Sequence, residues 1–136
     1  MKTILTAYAG AAVTMLVMDA VWLSMSVDLF YRPLLGDIVL PGFRLVPAIL
    51  FYLLYVLGIV IFAIKPALVT GHLSEAAGKG ALFGFFCYAT YDLTNQATLK
   101  VWPAIVTIVD MSWGTLLTAC VATVGYLVAS RVARLG

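Results

Sequence analysis

The stretch VPAILFYLLYVLGIVIFAI, residues 46–64, runs for 19 residues without a charged side chain. A helix needs about 20 mostly apolar residues to cross about 30 Å of hydrocarbon. Pro47 stands in the first turn, where the missing N–H of proline is tolerated. The stretch therefore predicts a membrane-spanning helix and places the chain among integral membrane proteins.

The composition of the whole chain agrees with this prediction. Of its 136 residues, 64% are hydrophobic and 10% are charged, whereas a water-soluble domain carries about 25% charged residues. The net charge of +2 is too small and too scattered to bind a phosphate backbone. These values exclude a water-soluble globular protein, a disordered chain and a nucleic-acid binder, and they leave membrane lipids as the expected surroundings.

Three further apolar stretches are long enough to span a membrane, at about residues 3–25, 80–99 and 102–129. The first is not interpreted as a secretory signal, because its apolar run is too long, it contains Asp19, and no small-x-small cleavage site follows at the right distance. The predicted fold is all-α, an integral membrane bundle of four transmembrane helices. At this length we expect a single domain, residues 1–136.

The connections between the predicted helices differ in length and polarity. Residues 26–45, SVDLFYRPLLGDIVLPGFRL, are too apolar for a free loop and contain two prolines and two glycines. We expect an amphipathic outer segment that lies at the interface or folds back over the helix ends. Residues 65–79 are expected to form a cytoplasmic turn with a helix start at Ser74 and Glu75, and residues 100–102 a tight hairpin.

Basic residues in the short connections predict the orientation of the chain. If the N-terminus lies inside, the cytoplasmic side holds five of them and the outer side three. The majority on the cytoplasmic side favours a multi-pass protein with both termini in the cytoplasm. The five are Lys2, Lys65, Lys79, Arg131 and Arg134, and the three are Arg32, Arg44 and Lys100.

Three acids, Asp19, Asp92 and Asp110, fall inside predicted spans that contain no Lys, Arg or His to neutralise them. Each costs about 2.5–3.5 kcal/mol near the middle of a membrane helix. At about 1.5 Å per residue, all three lie about 9–10 Å below the outer ends of their helices. Because antiparallel helices place them in one layer, we expect them to face the bundle interior as candidate catalytic or binding groups.

Polar and aromatic residues share the helix faces of these acids. A polar stripe accompanies the acid of the third helix, and an indole follows each of the other two acids by three positions. The second helix offers only Tyr52 and Tyr55 among aliphatic residues, so it is expected to be a lipid-facing brace. The candidate ligand-binding residues are Asp19, Trp22, Tyr88, Asp92, Asn95, Asp110 and Trp113.

Buried carboxyl groups can take up and release protons. In a low dielectric they repel one another and favour the protonated form, so one of them can exchange a proton as a general acid or base or as a coupling site in a carrier. The alternative is structural, with protonated aspartates that bond to Asn95, Trp22 or Trp113 and hold the helices together. Such bonds average only about 0.6 kcal/mol in membranes, which poorly offsets the insertion of three acids.

No cofactor or metal site is predicted from the sequence. His72 stands alone in a loop, and Cys87 and Cys120 form no C-x-x-C pair and are expected to be packing residues. The three aspartates and Asn95 offer oxygen ligands for a hard cation. That alternative stays open beside the prediction of no metal.

Several blocks of the sequence resemble one family. MDAVWLS (18–24), FGFFCYATYDLTNQATLKVWP (83–103) and VDMSWGTLLT (109–118) are similar to a family of small bacterial membrane proteins known as domain of unknown function 2177. The most specific block runs from Tyr91 to Trp102. The resemblance implies a compact four-helix bacterial membrane protein and brings no established activity. We expect the protein in the inner membrane.

Three functions remain open on the sequence alone. In the first, the chain binds a small or lipidic molecule in the outer half of the bundle. Asp92 and Asn95 would contact its polar head, and Asp19 and Asp110 would share a proton with it. In the second, an intramembrane enzyme acts on a lipid or isoprenoid with one aspartate as general acid. In the third, the chain is a structural subunit of a membrane complex. For any of the three, a homodimer is an open alternative, because four helices enclose little volume.

Overall fold

The computed structural model describes residues 1–135, and its regular structure in that range is helical, with no strand. Wide π-helical turns at Val27–Tyr31 and Val60–Ile64 continue the helices on either side of them. The chain therefore forms four rods, residues 2–38, 45–70, 73–98 and 104–135, which confirms the predicted all-α membrane bundle. The α-helices are α1 (Lys2–Ser26), α2 (Arg32–Leu35), α3 (Leu45–Ile59), α4 (Lys65–Thr70), α5 (Leu73–Thr98) and α6 (Ala104–Leu135).

Three rods of the described chain are long and apolar enough to cross a membrane: Lys2–Ile38, Leu45–Thr70 and Ala104–Leu135. The remaining rod, α5, has 26 residues, which is about 39 Å at 1.5 Å per residue. Its polar residues, Asp92 among them, lower its hydropathy. Leucines of α3 such as Leu54 stay exposed on the bundle surface, as expected for a face that contacts lipid.

Helix α6 lies at the centre of the bundle and packs against α5 and α1. On α1, Ala7, Ala11, Met15 and Asp19 are buried at a spacing of four residues. This spacing places the four side chains on one helix face, and a Cβ added at Gly125 of α6 would contact Ala11. The face that buries α1 in the bundle therefore includes an acid.

Small residues allow α5 and α6 to run antiparallel at close range. A Cβ added at Gly84 would overlap the carbonyl oxygen of Gly114, and one added at Gly80 would lie 2.7 Å from the Cβ of Ala122. Glycine at these positions removes the atoms that would keep the two backbones apart. The close approach fixes the register of the two helices and so decides which residues meet further along the hairpin.

Each π turn ends two residues before a proline. Val27–Tyr31 precedes Pro33, and Val60–Ile64 precedes Pro66. Proline lacks the N–H for the bond to the residue four positions earlier, and its ring collides with that carbonyl group. A widened turn accommodates the ring without ending the helix, so each rod continues beyond its proline.

The segment predicted between the first two helices begins as an extension of α1. The helical path runs through α2 and a 3₁₀ turn at Gly36–Ile38, Leu35 is buried, and the Tyr31 hydroxyl contacts Asp110 of α6. The segment thus folds over one end of the bundle, the second of the two predicted arrangements. We call this end the α2 end.

The turn between the second and third rods is shorter than predicted. Instead of residues 65–79, it consists of Gly71 and His72, because α4 continues to Thr70 and α5 begins at Leu73. Gly71 has φ of +76°, a left-handed conformation that glycine adopts without steric cost and that ends a helix. The third helix therefore starts seven residues before its predicted boundary at Gly80.

Replacing Gly84 with alanine should destabilise the bundle, because the added methyl group would overlap the backbone of α6. Overpacking of this kind costs about 1–3 kcal/mol. The control is Gly78→Ala on the same helix, where the methyl group meets open space and alanine is favoured over glycine by about 0.5–1 kcal/mol. Thermal unfolding in detergent, followed by circular dichroism, should show a lower midpoint for G84A alone. Equal midpoints for the two variants would contradict the close approach of the helices.

Candidate functional site

An open cavity of about 370 Å³ lies at the α2 end of the bundle. Two acids, Asp19 of α1 and Asp110 of α6, form part of its wall. Aliphatic side chains from the segment that follows α1, such as Val27 and Val39, close another part. The aromatic part of the wall consists of Trp22, Tyr31, Tyr88, Tyr91, Trp102 and Trp113, which include all three tryptophans of the chain.

Asp19 joins three rods at this cavity. Its side chain is buried, and both of its oxygens accept hydrogen bonds. The Tyr52 hydroxyl of α3 donates to Oδ2 at 2.5 Å, and the Trp113 indole N–H of α6 donates to Oδ1 at 3.4 Å. Because both donors are neutral, they satisfy the oxygens of Asp19 without supplying a positive charge.

Asp110 is held by a second group of aromatic residues. It accepts a hydrogen bond from the Tyr31 hydroxyl, and that hydroxyl in turn accepts one from the Trp22 indole N–H at 3.3 Å. The Trp22 and Trp113 rings stack, with centroids 4.5 Å apart and planes 10° from parallel. A continuous set of contacts therefore runs from Asp19 through the two indoles to Asp110.

Asp92 has the least compensated environment of the three acids. It is fully buried, and neither of its oxygens accepts a hydrogen bond from any described residue. Its carboxyl lies within hydrogen-bonding reach of the Asp110 carboxyl. Two carboxyl groups can bond to each other only when one of them carries a proton, so this contact provides a place for a shared proton.

The antiparallel register of α5 and α6 explains why these two acids meet. Asp92 lies six residues before the end of α5 at Thr98, and Asp110 lies six residues after the start of α6 at Ala104. At about 1.5 Å per residue, both lie about 9 Å from the connection between the helices. The short connection, together with the close packing of Gly80 and Gly84 against α6, thus places the two carboxyl groups side by side.

No basic side chain balances the acids of the cavity. Among residues 1–135, no Lys, Arg or His lines it. Arg32 is nearby in sequence, but it pairs with Asp28 and donates to the Pro41 carbonyl oxygen at 2.8 Å. The polar wall is consequently acidic and has no internal counter-ion.

The structure places the predicted binding residues in three positions. Trp22, Tyr88 and Trp113 share the cavity wall with Asp19 and Asp110. Asp92 lies behind Asp110, and Asn95 is half-buried outside the wall, beside the Tyr91 hydroxyl. The functional roles assigned to these residues stay predictions.

The second helix was predicted to be a lipid-facing brace, and its leucines are exposed, but its two tyrosines also bond to other helices. Tyr52 donates to Asp19, and the Tyr55 hydroxyl lies 2.8 Å from the Thr118 hydroxyl of α6. Tyrosine hydroxyls in an apolar helix need hydrogen-bond partners when buried, and this need was the signal in the sequence. Tyr31 was also missed, because the prediction gave its segment no defined helical register.

A second cavity of about 340 Å³ shares Tyr88 and Tyr91 with the first. Phe51, Tyr55 and Cys87 complete its wall. Its wall contains no carboxyl group, so it offers a ligand no acid to bind. As for metals, the described residues contain no cluster of three His, Cys, Asp or Glu side chains arranged to hold an ion.

Comparison with known proteins gives one match. Residues 4–127 match the model of a family described as "Predicted membrane protein (DUF2177)". No curated protein and no solved structure matches the chain. The match includes the three acids and every aromatic residue of the cavity wall, and it confirms the resemblance drawn from the sequence. The chain belongs to the DUF2177 family of membrane proteins.

Proposed function

We propose that this protein binds a small or lipidic amphiphile in the cavity at the α2 end and couples binding to a proton. The observation that carries the proposal is the buried Asp92 carboxyl, which has no donor and lies beside an acid of the cavity wall. A buried polar group without a partner costs about 1–3 kcal/mol, and more when charged. A proton shared with Asp110 would remove this cost, and a ligand that bonds to Asp110 at the cavity wall could exchange with that proton.

The composition of the wall supports an amphiphilic ligand. Binding pockets for small molecules are mostly apolar with a few placed polar groups. Here Leu23, Val27 and Val39 provide an apolar surface for a hydrocarbon part, and Asp19 and Asp110 accept hydrogen bonds from a polar head. The cavity volume of about 370 Å³ lies within the usual range of about 300–1,000 Å³.

The pair of Asp92 and Asp110 supports the link to a proton. A ligand head that donates to Asp110 competes with the proton that the two carboxyl groups share, so binding should displace this proton and release should restore it. The titratable groups that face the pair are Tyr31 from the segment after α1 and Tyr88 and Tyr91 from α5, and Asp19 lines the same cavity as Asp110. No described basic residue takes part.

We further infer that the protein lies in the inner membrane of a bacterium with both termini in the cytoplasm. The excess of basic residues in the connections on that side supports this orientation. The cavity at the α2 end then lies in the outer half of the bilayer, where its opening is accessible from outside the cytoplasm.

The ligand should co-purify with the protein in a way that depends on Asp110. Mass spectrometry of small molecules and lipids extracted from the purified protein should detect a species that wild type retains and that Asp110→Asn has lost at least about tenfold, because a charged hydrogen-bond partner is removed. Asp37→Asn, which changes an exposed acid of the 3₁₀ turn, should retain it. Identical extracts from all three proteins, each with the same circular dichroism spectrum, would contradict the proposal.

The shared proton should be visible by infrared spectroscopy. At neutral pH, wild type should show the stretching band of a protonated carboxyl group, and Asp92→Asn should lose it, because the amide can donate to Asp110 in place of the proton. Asp37→Asn is again the control and should keep the band. A band of equal intensity in Asp92→Asn would show that the proton lies elsewhere.

The orientation can be tested by labelling single cysteines in intact cells. In a background with Cys87→Ser and Cys120→Ser, Asp37→Cys at the α2 end should react with a membrane-impermeant maleimide. His72→Cys, in the turn at the opposite end, should react only after the membrane is permeabilised. The reverse pattern would place the cavity on the cytoplasmic side.

A further inference from the structure

We propose that the ligand of this cavity is an organic cation, a protonated or quaternary amine that carries an apolar arm. This inference rests on the proposed binding function and adds the charge class of the ligand. It follows from three properties of the wall: its uncompensated acids, the engagement of its indole N–H groups, and its aromatic surface.

The first property is charge. Asp19 and Asp110 face the cavity, and Asp92 lies against Asp110. None of the ion pairs formed by residues 1–135 involves these three acids, so any negative charge that they carry has no partner in the protein. Buried charges are stabilised by a partner of opposite sign. An anion would be repelled by such a charge, and a neutral ligand would leave it without a counter-ion.

The second property is the hydrogen-bonding capacity of the indoles. Each indole N–H already bonds within the protein: that of Trp22 to Tyr31, that of Trp113 to Asp19, and that of Trp102 to Thr107 at 3.2 Å. The indole ring has no other donor and no acceptor. The tryptophans therefore have no hydrogen bond left for a ligand and offer it only π surface, while the carboxyl groups offer only acceptors.

The third property is the aromatic surface of the wall, which favours an organic cation over a metal ion. Hard metal ions require six to eight oxygen ligands, and the described residues contain no group of three His, Cys, Asp or Glu side chains placed to hold an ion. Aromatic rings instead attract ammonium groups, tryptophan most strongly, and such groups bind in aromatic cages. Six aromatic side chains beside two acids match that kind of ligand.

The test compares benzyltrimethylammonium with neopentylbenzene, its neutral isostere, in which carbon replaces the charged nitrogen. The protein is reconstituted in phosphatidylcholine nanodiscs, and binding is followed by tryptophan fluorescence, with empty nanodiscs to correct for partitioning into lipid. Because all three tryptophans line the cavity, the signal reports on this site. We expect the cation to bind at least about tenfold more tightly than its isostere.

Variants show whether the acids cause this preference. Asp19→Asn should weaken binding of the cation by about tenfold or more and leave binding of the neutral isostere unchanged, whereas Asp37→Asn should change neither. Equal affinities of wild type for the two probes would overturn the assignment of a cation. That result would not affect the proposed binding function, which depends on the co-purified ligand. A wild-type signal that responds to neither probe would also overturn the assignment.

Discussion

The close approach of α5 and α6 is the constraint on which the candidate site depends. The absence of a side chain at Gly84 lets the two backbones come close enough to fix their register, and its absence at Gly114 leaves room for the Tyr88 ring. That register, with the short connection between the helices, places Asp92 beside Asp110. A different register would put one of the acids against lipid, at about 2.5–3.5 kcal/mol. The small residues that pack the two helices together therefore also bring the two acids together.

The other elements of the site attach aromatic residues to this acidic pair. The first rod contributes Asp19, Trp22 and Tyr31, and the second contributes Tyr52. Each polar tip of these residues meets a partner inside the bundle, and this satisfies the general rule that polar groups in hydrocarbon must find partners within the protein. The two Asp92 oxygens remain without a donor, and this acid lies beside Asp110 of the cavity wall.

The sequence alone could predict the rods, because uncharged apolar runs of about 20 residues are typical of helices that cross a membrane. It could also predict that the three acids share a depth, since helix rise is constant. It could not predict which tyrosine meets which acid. Tyr52 and Tyr55 lie among aliphatic residues on one helix, and their partners are 33 and 63 residues away. Such pairings depend on how the rods rotate against each other, and periodicity within one rod does not determine that rotation.

The ends of the rods also could not be predicted from the sequence alone. The prolines and glycines after α1 predicted that the helix would end there. Instead, a π turn accommodates Pro33 and the helix continues. Tyr31 ends that turn and reaches Asp110, 79 residues away. Each residue of a helix advances the next side chain by about 100° around the axis. Loss or gain of one residue between Asp19 and Tyr31 would therefore turn the hydroxyl away from α6 while leaving the helix intact. This part of the chain tolerates exchange of its lipid-facing side chains more readily than any change in its length.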